Sequence, residues 1–255
     1  MKISATIVAF NEERNIARAI RSLQLEGCAD EIVVVDSGST DQTREIAESL
    51  GARVVEETWR GYAAQKNFGA SIAANDWILS IDADEELTPA LASEITALKS
   101  LAGGNDVSGW TMPRLARYLG RWIRHSGWYP DRKLRLYRRD RGTWKGEYVH
   151  ESVEVTGRVG QLNGDLLHFT CDSLDQHVKT LDRYTDLAAR ALKDSGKPVP
   201  FHRLVVDPPW TFFRSYVLQK GFLDGGHGFV IAVMASFYTF VKYAKARELP
   251  RHLPR

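Results

Sequence analysis

Cysteine is scarce in this sequence, which contains only Cys28 and Cys171 among its 255 residues. Two cysteines do not form a disulfide framework, and neither lies at a spacing typical of a metal site. An excess of one charge is also lacking, because 34 Lys and Arg residues are balanced by 32 Asp and Glu residues, for a net charge of +2. This balance argues against nucleic acid as a partner, and the cysteine usage fits a reducing cytosol.

Long hydrophobic runs are missing as well. The N-terminal apolar run, Ile3 to Phe10, has the length of a strand and ends at polar residues, so it does not predict a signal peptide. The uncharged run from 225 to 241 is at the lower limit for a membrane-spanning helix and is weakened by three glycines and a histidine. The sequence therefore does not predict a conventional transmembrane protein.

Two glycine-rich phosphate-binding motifs are absent. No Gly-x-Gly-x-x-Gly follows the first predicted strand, and no Gly-x-x-x-x-Gly-Lys-Ser/Thr occurs in the chain. A dinucleotide oxidoreductase and a P-loop NTPase are thereby disfavoured. The residues that follow the first strand, Ala9 to Glu13, also differ from the Gly-rich, Arg-containing loop expected of a sugar-nucleotide pyrophosphorylase.

What the sequence does contain is a buried strand that ends in acids. The apolar run 77–81 predicts a strand buried on both faces. Ligands bind at the carboxyl edge of such sheets, and carboxylates one residue apart favour a bound cation, so Asp-x-Asp suggests a Mg²⁺ or Mn²⁺ site that carries a diphosphate. The alternative is a solvated turn whose acids cap a helix opened by Thr88 and Pro89. Four carboxylates follow the strand: Asp82, Asp84, Glu85 and Glu86.

Strand and helix patterns alternate over the first hundred residues. Each strand is followed by a segment with helical periodicity, which predicts a parallel sheet with right-handed crossovers. Because the carboxyl ends of parallel strands share one edge, Asn11, Asp36 and Asp82 should converge there. The predicted strands are 3–10, 31–36, 52–56 and 77–81.

The alternation stops near residue 107. The segments 108–114 and 133–138 have strand patterns, and six of the ten residues from Arg132 to Arg141 are basic. That run could grip a diphosphate or a phosphorylated acceptor, or it could be a solvated strand face. A helical pattern covers 173–193. We predict two halves of one domain, 1–105 and 106–172, and a helical C-terminal extension, 173–255.

Four motifs in the first hundred residues together resemble the family 2 glycosyltransferases. The resemblance implies the GT-A fold, an α/β architecture with a Rossmann-like, mostly parallel central sheet flanked by helices, followed here by a C-terminal helical, membrane-associating extension. It also implies a metal-dependent transferase that uses a nucleotide sugar, with 1–105 as the nucleotide-sugar-binding half and 106–172 as the acceptor and catalytic half of the same domain. The motifs are 6–13 (TIVAFNEE), 35–41 (VDSGSTD), 65–69 (QKNFG) and 82–84 (DAD).

Further motifs in the second half resemble the lipopolysaccharide inner-core β-1,4-glucosyltransferase branch of that family. This resemblance implies inverting transfer of glucose from UDP-glucose to a lipid-linked acceptor in lipopolysaccharide core synthesis. The alternatives are the same fold acting on a polyprenyl phosphate or on a capsule or O-antigen intermediate, and, from another class, a non-catalytic membrane-docked binding module. The motifs are 127–131 (GWYPD), 135–138 (RLYR), 149–151 (VHE) and 221–225 (GFLDG).

The family resemblance also implies roles for individual residues. Asp36 is expected to bind uracil or ribose, and Asp84 is expected to hold Mg²⁺ or Mn²⁺, with Asp82 on the metal or on the ribose. The alternatives are a helix cap for Asp36 and, for Lys66 and Asn67, an exposed helix face. The donor-binding residues implied are Ala9, Asn11, Glu12, Asp36, Lys66, Asn67 and Asp82.

Inverting transfer also requires a general base for the acceptor hydroxyl. Glu151 and Asp131 are the candidates, and we favour Glu151. His150 or His168 could complete the metal shell, although a hydrogen-bonded structural histidine is the alternative for each.

The segment from about residue 200 is rich in aromatic residues interleaved with cations. Such mixtures favour the lipid headgroup region. We predict a peripheral protein on the cytoplasmic face of the inner membrane, docked without spanning it. A spanning helix, a dimer interface and an ordinary core helix are the alternatives.

Overall fold

A computed structural model describes residues 1–100, 106–146, 151–196 and 198–248 of the chain. Its helices are α1 (Ile16–Gln24), α2 (Thr43–Ser49), α3 (Tyr62–Ile72), α4 (Pro89–Ser100), α5 (Leu174–Asp194), α6 (Phe201–Phe213) and α7 (Gly225–Glu248), with 3₁₀ turns at Leu25–Gly27 and Gly221–Asp224 and a π-helical turn at Arg214–Leu218. Its strands are β1 (Ile3–Ala9), β2 (Glu31–Asp36), β3 (Arg53–Glu56), β4 (Trp77–Asp82), β5 (Glu85–Leu87), β6 (Val107–Tyr118), β7 (Arg121–Trp122), β8 (Asp131–Arg138), β9 (Gly142–Lys145), β10 (Ser152–Val155), β11 (Arg158–Gln161) and β12 (Leu166–Cys171).

The first four strands form a parallel half-sheet in the order β3-β2-β1-β4. Apolar residues of β1, β2 and β4 are buried, as expected for strands covered on both faces. Helix α1 closes one face because Ile16, Ile20 and Leu23 fall on one side of it and join the core. The predicted alternation and its parallel sheet are confirmed.

Antiparallel strands extend this half-sheet on the β4 side. Strand β8 pairs antiparallel with β4, and β6 pairs antiparallel with β8. The full order is β3-β2-β1-β4-β8-β6-β12-β5, with β7 and β11 also paired to β6, while β9 and β10 form a separate hairpin. The result is a mixed sheet flanked by helices with a C-terminal helical extension, which confirms the predicted fold class.

Strand β5 was not predicted, and it changes the environment of the acidic segment. It pairs antiparallel with β12, in a register that sets Leu87 opposite Leu166 and Glu85 opposite His168. Glu85 is therefore inside the sheet and fully buried. The acids after β4 do not form one solvated turn, and their pairing with β12 brings a distant histidine to them.

The chain divides into two compact units. The first contains Met1–Arg114 and Asp131–His168, and the second contains Leu115–Pro130 and Phe169–Arg255, of which residues up to 248 are described. The segment 115–130 thus groups with the helical extension. The predicted functional division at 105 and 172 stays a prediction.

The second unit is built on α5, α6 and α7, with α7 packed against both other helices. The backbone of α7 approaches Gly221 closely at Gly228, where an added Cβ would lie 1.8 Å from the Gly221 carbonyl oxygen. Asp224 accepts hydrogen bonds from the backbone N–H of His125 (2.9 Å) and from its imidazole (3.0 Å). The 221–225 motif therefore holds the loop before β8 against the start of α7.

Candidate functional site

The ends of β1 and β2 are joined by a hydrogen-bonded pair of turns. The backbone N–H of Asn11 donates to Ser39 Oγ (2.9 Å), and the N–H of Thr40 donates to Asn11 Oδ1 (2.8 Å). Asn11 has φ of +56°, a left-handed conformation that Asn adopts more readily than most residues. The structure thus brings the Asn11 and Asp36 segments together at the carboxyl edge, as expected.

Asp36 is buried, and its carboxylate accepts hydrogen bonds from the turn that follows it. Its Oδ1 accepts from the N–H groups of Gly38 (3.0 Å) and Ser39 (2.8 Å), and its Oδ2 accepts from the Ser39 hydroxyl. The N–H of Ser37 donates to the carbonyl of Ala9 (2.9 Å). These bonds give Asp36 a turn-forming role, and its contact with uracil or ribose stays a prediction.

Asp82 is clamped between two cations. Its Oδ1 lies 2.8 Å from Lys66 Nζ, and its Oδ2 lies 2.7 Å from Arg135 Nη2. Burial disfavours the ionised carboxyl, but the charges of Arg135 and Lys66 outweigh it, so the pKa of Asp82 lies well below its usual range. Asp82 is thus a permanent anion whose two oxygens are already neutralised.

Arg135 and Glu85 form a buried ion pair beside Asp82. Arg135 Nη2 lies 2.7 Å from Glu85 Oε1, and Glu85 Oε2 accepts from the backbone N–H of Asp82 at 3.0 Å. Burial opposes the charge on Arg135, yet the carboxylates of Asp82 and Glu85 raise its pKa further. Arg135 is therefore neither a residue of a solvated strand face nor free to grip a phosphate, because it is buried and holds the acidic strand end in place.

Lys66 and Asn67 lie on α3 and both contact the β9 segment. Lys66 is buried, with Nζ 4.3 Å from the centroid of the Trp144 ring and 3.4 Å from Glu151 Oε1. Asn67 is bonded through both polar atoms to the Trp144 backbone, each at 2.9 Å. The alternative that Lys66 lies on an exposed helix face is therefore wrong. Contact of Lys66 or Asn67 with a nucleotide stays a prediction.

The two candidate bases have different surroundings. Asp131 Oδ2 accepts from Arg114 at 2.7 and 3.1 Å, and its Oδ1 lies 3.0 Å from Lys133. Partial burial raises the pKa of Asp131, but Arg114 and Lys133 lower it more, so its pKa is below the usual value. Protonation of Asp131 must compete with two cations, whereas Glu151 contacts Lys66 at the longer distance of 3.4 Å.

Asp84 lies beside a histidine at the same edge. Its Oδ2 is 3.3 Å from His168 Nε2. Nearby, burial raises the pKa of Glu12, and the charges of Asp84, Asp41 and Asp82 add to that rise. Several carboxylates therefore lie near one another at this edge of the sheet. His150 lies outside the described residues.

The donor set fits Mg²⁺ or Mn²⁺ bound with a substrate. Within 1–100, 106–146, 151–196 and 198–248, no group of three or more Asp, Glu, His or Cys side chains is arranged to hold a metal. Such ions are often held by one or two protein ligands while substrate phosphates supply further oxygens. Asp84 and His168 meet that description, whereas the oxygens of Asp82 are occupied by cations.

The comparison with known proteins places this site in a family context. The model of glycosyl transferase family 2 matches residues 4–152, which include all of the site residues above except His168. The chain is 36% identical over 252 residues to the lipopolysaccharide core biosynthesis glycosyltransferase LpsC of Rhizobium meliloti, covering 96% of this chain and 92% of that protein. It is 34% identical over 257 residues to an uncharacterized glycosyltransferase of Rickettsia typhi, covering 97% and 87%. A crystal structure of glucosyl-3-phosphoglycerate synthase from Mycobacterium tuberculosis with Mn²⁺, UDP and glucosyl-3-phosphoglycerate is similar with a TM-score of 0.47 at 19% identity, covering 77% of this chain and 81% of that one.

Proposed function

Since the chain belongs to glycosyltransferase family 2, we propose that it transfers a hexose, with inversion, from a UDP-sugar to a lipid-linked saccharide. The observation that carries this proposal is the acidic end of β4, where Asp82 is fixed by two cations while Asp84 faces His168. UDP-glucose is the proposed donor, because the 127–131 and 149–151 motifs resemble the inner-core glucosyltransferases. A lipopolysaccharide core acceptor is supported by the similarity to LpsC, a lipopolysaccharide core biosynthesis glycosyltransferase that the chain matches along nearly its whole length.

A divalent metal is part of the proposal, with Asp84 and His168 as its protein ligands. Mg²⁺ or Mn²⁺ bound there would offset the charge that develops on the leaving diphosphate. The protein's own contribution is to hold the ligands still. Glu85 and Arg135 fix the backbone and the carboxylate of Asp82, two residues before Asp84, through bonds of 2.7 to 3.0 Å.

We assign the general base to Glu151. In an inverting transfer the base takes the proton of the acceptor hydroxyl as that oxygen attacks the anomeric carbon. Lys66 lies between Glu151 and Asp82, at 3.4 and 2.8 Å, so one buried cation positions both carboxylates. Asp131 remains the alternative, but Arg114 and Lys133 lower its pKa, which opposes its use as a base.

The proposed donor predicts a preference for uridine nucleotides. In the presence of Mn²⁺, UDP is expected to raise the thermal unfolding temperature more than GDP at the same concentration, because only a nucleotide that binds the native state with appreciable affinity stabilises it. Differential scanning fluorimetry measures this directly, with the metal alone as the control. A larger shift with GDP would contradict a uridine donor.

The helical unit carries an exposed apolar surface, which we call the docking surface. It consists of one face of α6, the turns that follow it and one face of α7. By length and composition Gly221–Glu248 could cross a membrane, with a mean hydropathy of 1.3, and only 22% of that segment's apolar window is buried. The exposed residues include Phe201, Val205, Trp210, Phe213, Leu218, Phe222, Phe229, Val233, Phe237 and Phe240.

We propose that this surface lies on the cytoplasmic face of the inner membrane without crossing it. Helix α7 packs against α5 and α6 and buries Ile231, Ala232 and Tyr243 there, so only its other side is open to a membrane surface. Exposed cations flank the docking surface at Arg203, Arg214 and Lys220. Lys245, near the end of α7, is bound to Asp182 and Asp186 at 2.7 Å each, so its charge is already paired within the unit.

Docking predicts a measurable loss of membrane affinity when acidic residues replace aromatic ones on the docking surface. The double substitution Phe237→Asp and Phe240→Asp is expected to weaken binding to anionic vesicles at least tenfold, because each buried Phe contributes roughly 1.5–3 kcal/mol. Vesicle co-sedimentation at low salt measures this, with Val178→Asp at an exposed apolar position of α5 as the control. A wild-type protein that stays unbound would refute docking, and one that resists carbonate extraction would indicate insertion.

A further inference from the structure

The helical unit contains a cavity of about 690 Å³ that the proposed reaction does not use. Its walls come from α5, α6 and α7, with contributions from β6, β12 and the loop before β8. The volume is within the usual range of small-molecule sites, roughly 300–1,000 Å³. Most of the wall is apolar or aromatic, including Trp128, Leu181, Trp210, Ile231 and Tyr238.

Four polar side chains of the cavity wall are engaged in hydrogen bonds within the unit. The hydroxyl of Tyr118 and Nδ1 of His177 lie 2.7 Å apart, and the hydroxyls of Thr211 and Thr239 bond to backbone carbonyls of their own helices at 2.8 and 3.0 Å. A saccharide would require many unsatisfied donors and acceptors. The wall is instead mainly aromatic and aliphatic with a few polar groups, which suits a ligand with a long apolar part.

Two features place the opening next to lipid and give it a charge. Trp210 lines the cavity and is also part of the exposed docking surface, so the cavity is continuous with that surface. Lys242 and Arg214 line it with Asp207, which leaves a net positive charge among these three groups. Lys242 lies above the rings of Tyr238 and Tyr243, at 5.8 and 4.5 Å, which keeps the cation at the wall.

We propose that this cavity binds one hydrocarbon chain of a membrane lipid whose head group is anionic, with the head near Lys242 and Arg214. The inference rests on the proposed membrane docking, because a chain must leave the bilayer beside the docking surface to enter. The lipid anchor of the acceptor and a bulk anionic phospholipid share this chemistry. A site of this kind would hold the enzyme on the lipid and, if the chain is the acceptor's own, would select that acceptor.

The test uses the full-length protein and palmitoyl-lysophosphatidylglycerol, a lipid with one chain and one anionic head, below its micelle-forming concentration. Native mass spectrometry and titration calorimetry are expected to show one saturable site. Ala235→Phe and Met234→Trp, which fill the cavity, should each weaken binding at least tenfold, whereas Ala191→Phe at an exposed position of α5 should not. Unchanged melting temperatures would show that the filled variants are folded.

The same titration distinguishes head group, position and source. The analogue of the same lipid with a choline head group should bind at least fivefold more weakly. A chain-brominated lipid should quench tryptophan fluorescence more in Trp210→Phe, which retains Trp128, than in Trp128→Phe, which retains Trp210. Competition by phosphatidylglycerol vesicles or by a phosphorylated lipid A-type glycolipid identifies the source. The proposal would be overturned by the absence of a saturable site, by binding to both cavity-filled variants that equals binding to the wild-type protein, or by displacement of the lipid by soluble core oligosaccharide. The titration contains no sugar nucleotide, so its result does not depend on sugar transfer; an inactive protein in a separate transferase assay that still binds the lipid would refute only the proposed function.

Discussion

Glu151→Gln is expected to lower kcat by about 100-fold or more while changing the affinity for the UDP-sugar by no more than a few-fold. The substitution keeps the shape of the side chain and its position 3.4 Å from Lys66 but removes the proton acceptor. The loss should therefore fall on the chemical step. Single-turnover kinetics with saturating donor, together with donor titration by calorimetry, separates the two quantities.

The matched control is Asp131→Asn, which removes a charge from the other candidate base. This carboxylate is held by Arg114 and Lys133, so its loss should perturb the local ion pairs more than the proton transfer. An active Glu151→Gln protein beside an inactive Asp131→Asn protein would reverse the assignment. Normal turnover in both variants would mean that the base lies at another residue.

Asp84→Asn is expected to remove metal-dependent turnover, lowering kcat/KM by 100-fold or more, while the protein remains folded. The physical reason is that a neutral amide replaces the charged oxygen that faces His168, and metal assistance typically contributes several kcal/mol to phosphate-leaving chemistry. Activity measured across a Mn²⁺ titration checks this result, and circular dichroism checks the fold.

Glu86→Gln provides the comparison for Asp84→Asn, because it changes a neighbouring acid that pairs with Arg18 at 3.5 Å rather than with His168. Its dependence on Mn²⁺ should match that of the wild-type protein. A folded Asp84→Asn protein with near-normal, metal-stimulated activity would exclude Asp84 as a ligand.

The parallel half of the fold was predictable because its signals are local. The apolar runs that became β1, β2 and β4 begin and end within about a residue of their predicted limits, and the turns after them carry the polar residues. Parallel pairing then brings the segment ends together, with Ala9 opposite Asp36 and Val8 opposite Asp82. Local periodicity and the rules of strand connection were sufficient for this part.

The remainder depended on pairings between distant segments. Arg135 reads as part of a basic run, and its burial follows only from the addition of β8 beside β4, more than fifty residues away in sequence. Glu85 reads as one acid among four until β5 pairs with β12. Similarly, Asn67 lies in a motif associated with nucleotides, yet its side chain bonds to the backbone of Trp144. No local pattern contains these contacts.

We propose that the acidic edge of the sheet transfers glucose from UDP-glucose, with release of UDP, with the help of a metal. This transfer is tested most directly by mixing the purified protein with UDP-glucose and a lipid-linked core oligosaccharide and measuring UDP release together with glycosylated product. We predict turnover that requires Mn²⁺ or Mg²⁺, stops with EDTA and returns when the metal is restored. Folded protein that gives the same product yield in EDTA, or that transfers from GDP-sugars and not from UDP-sugars, would contradict the account.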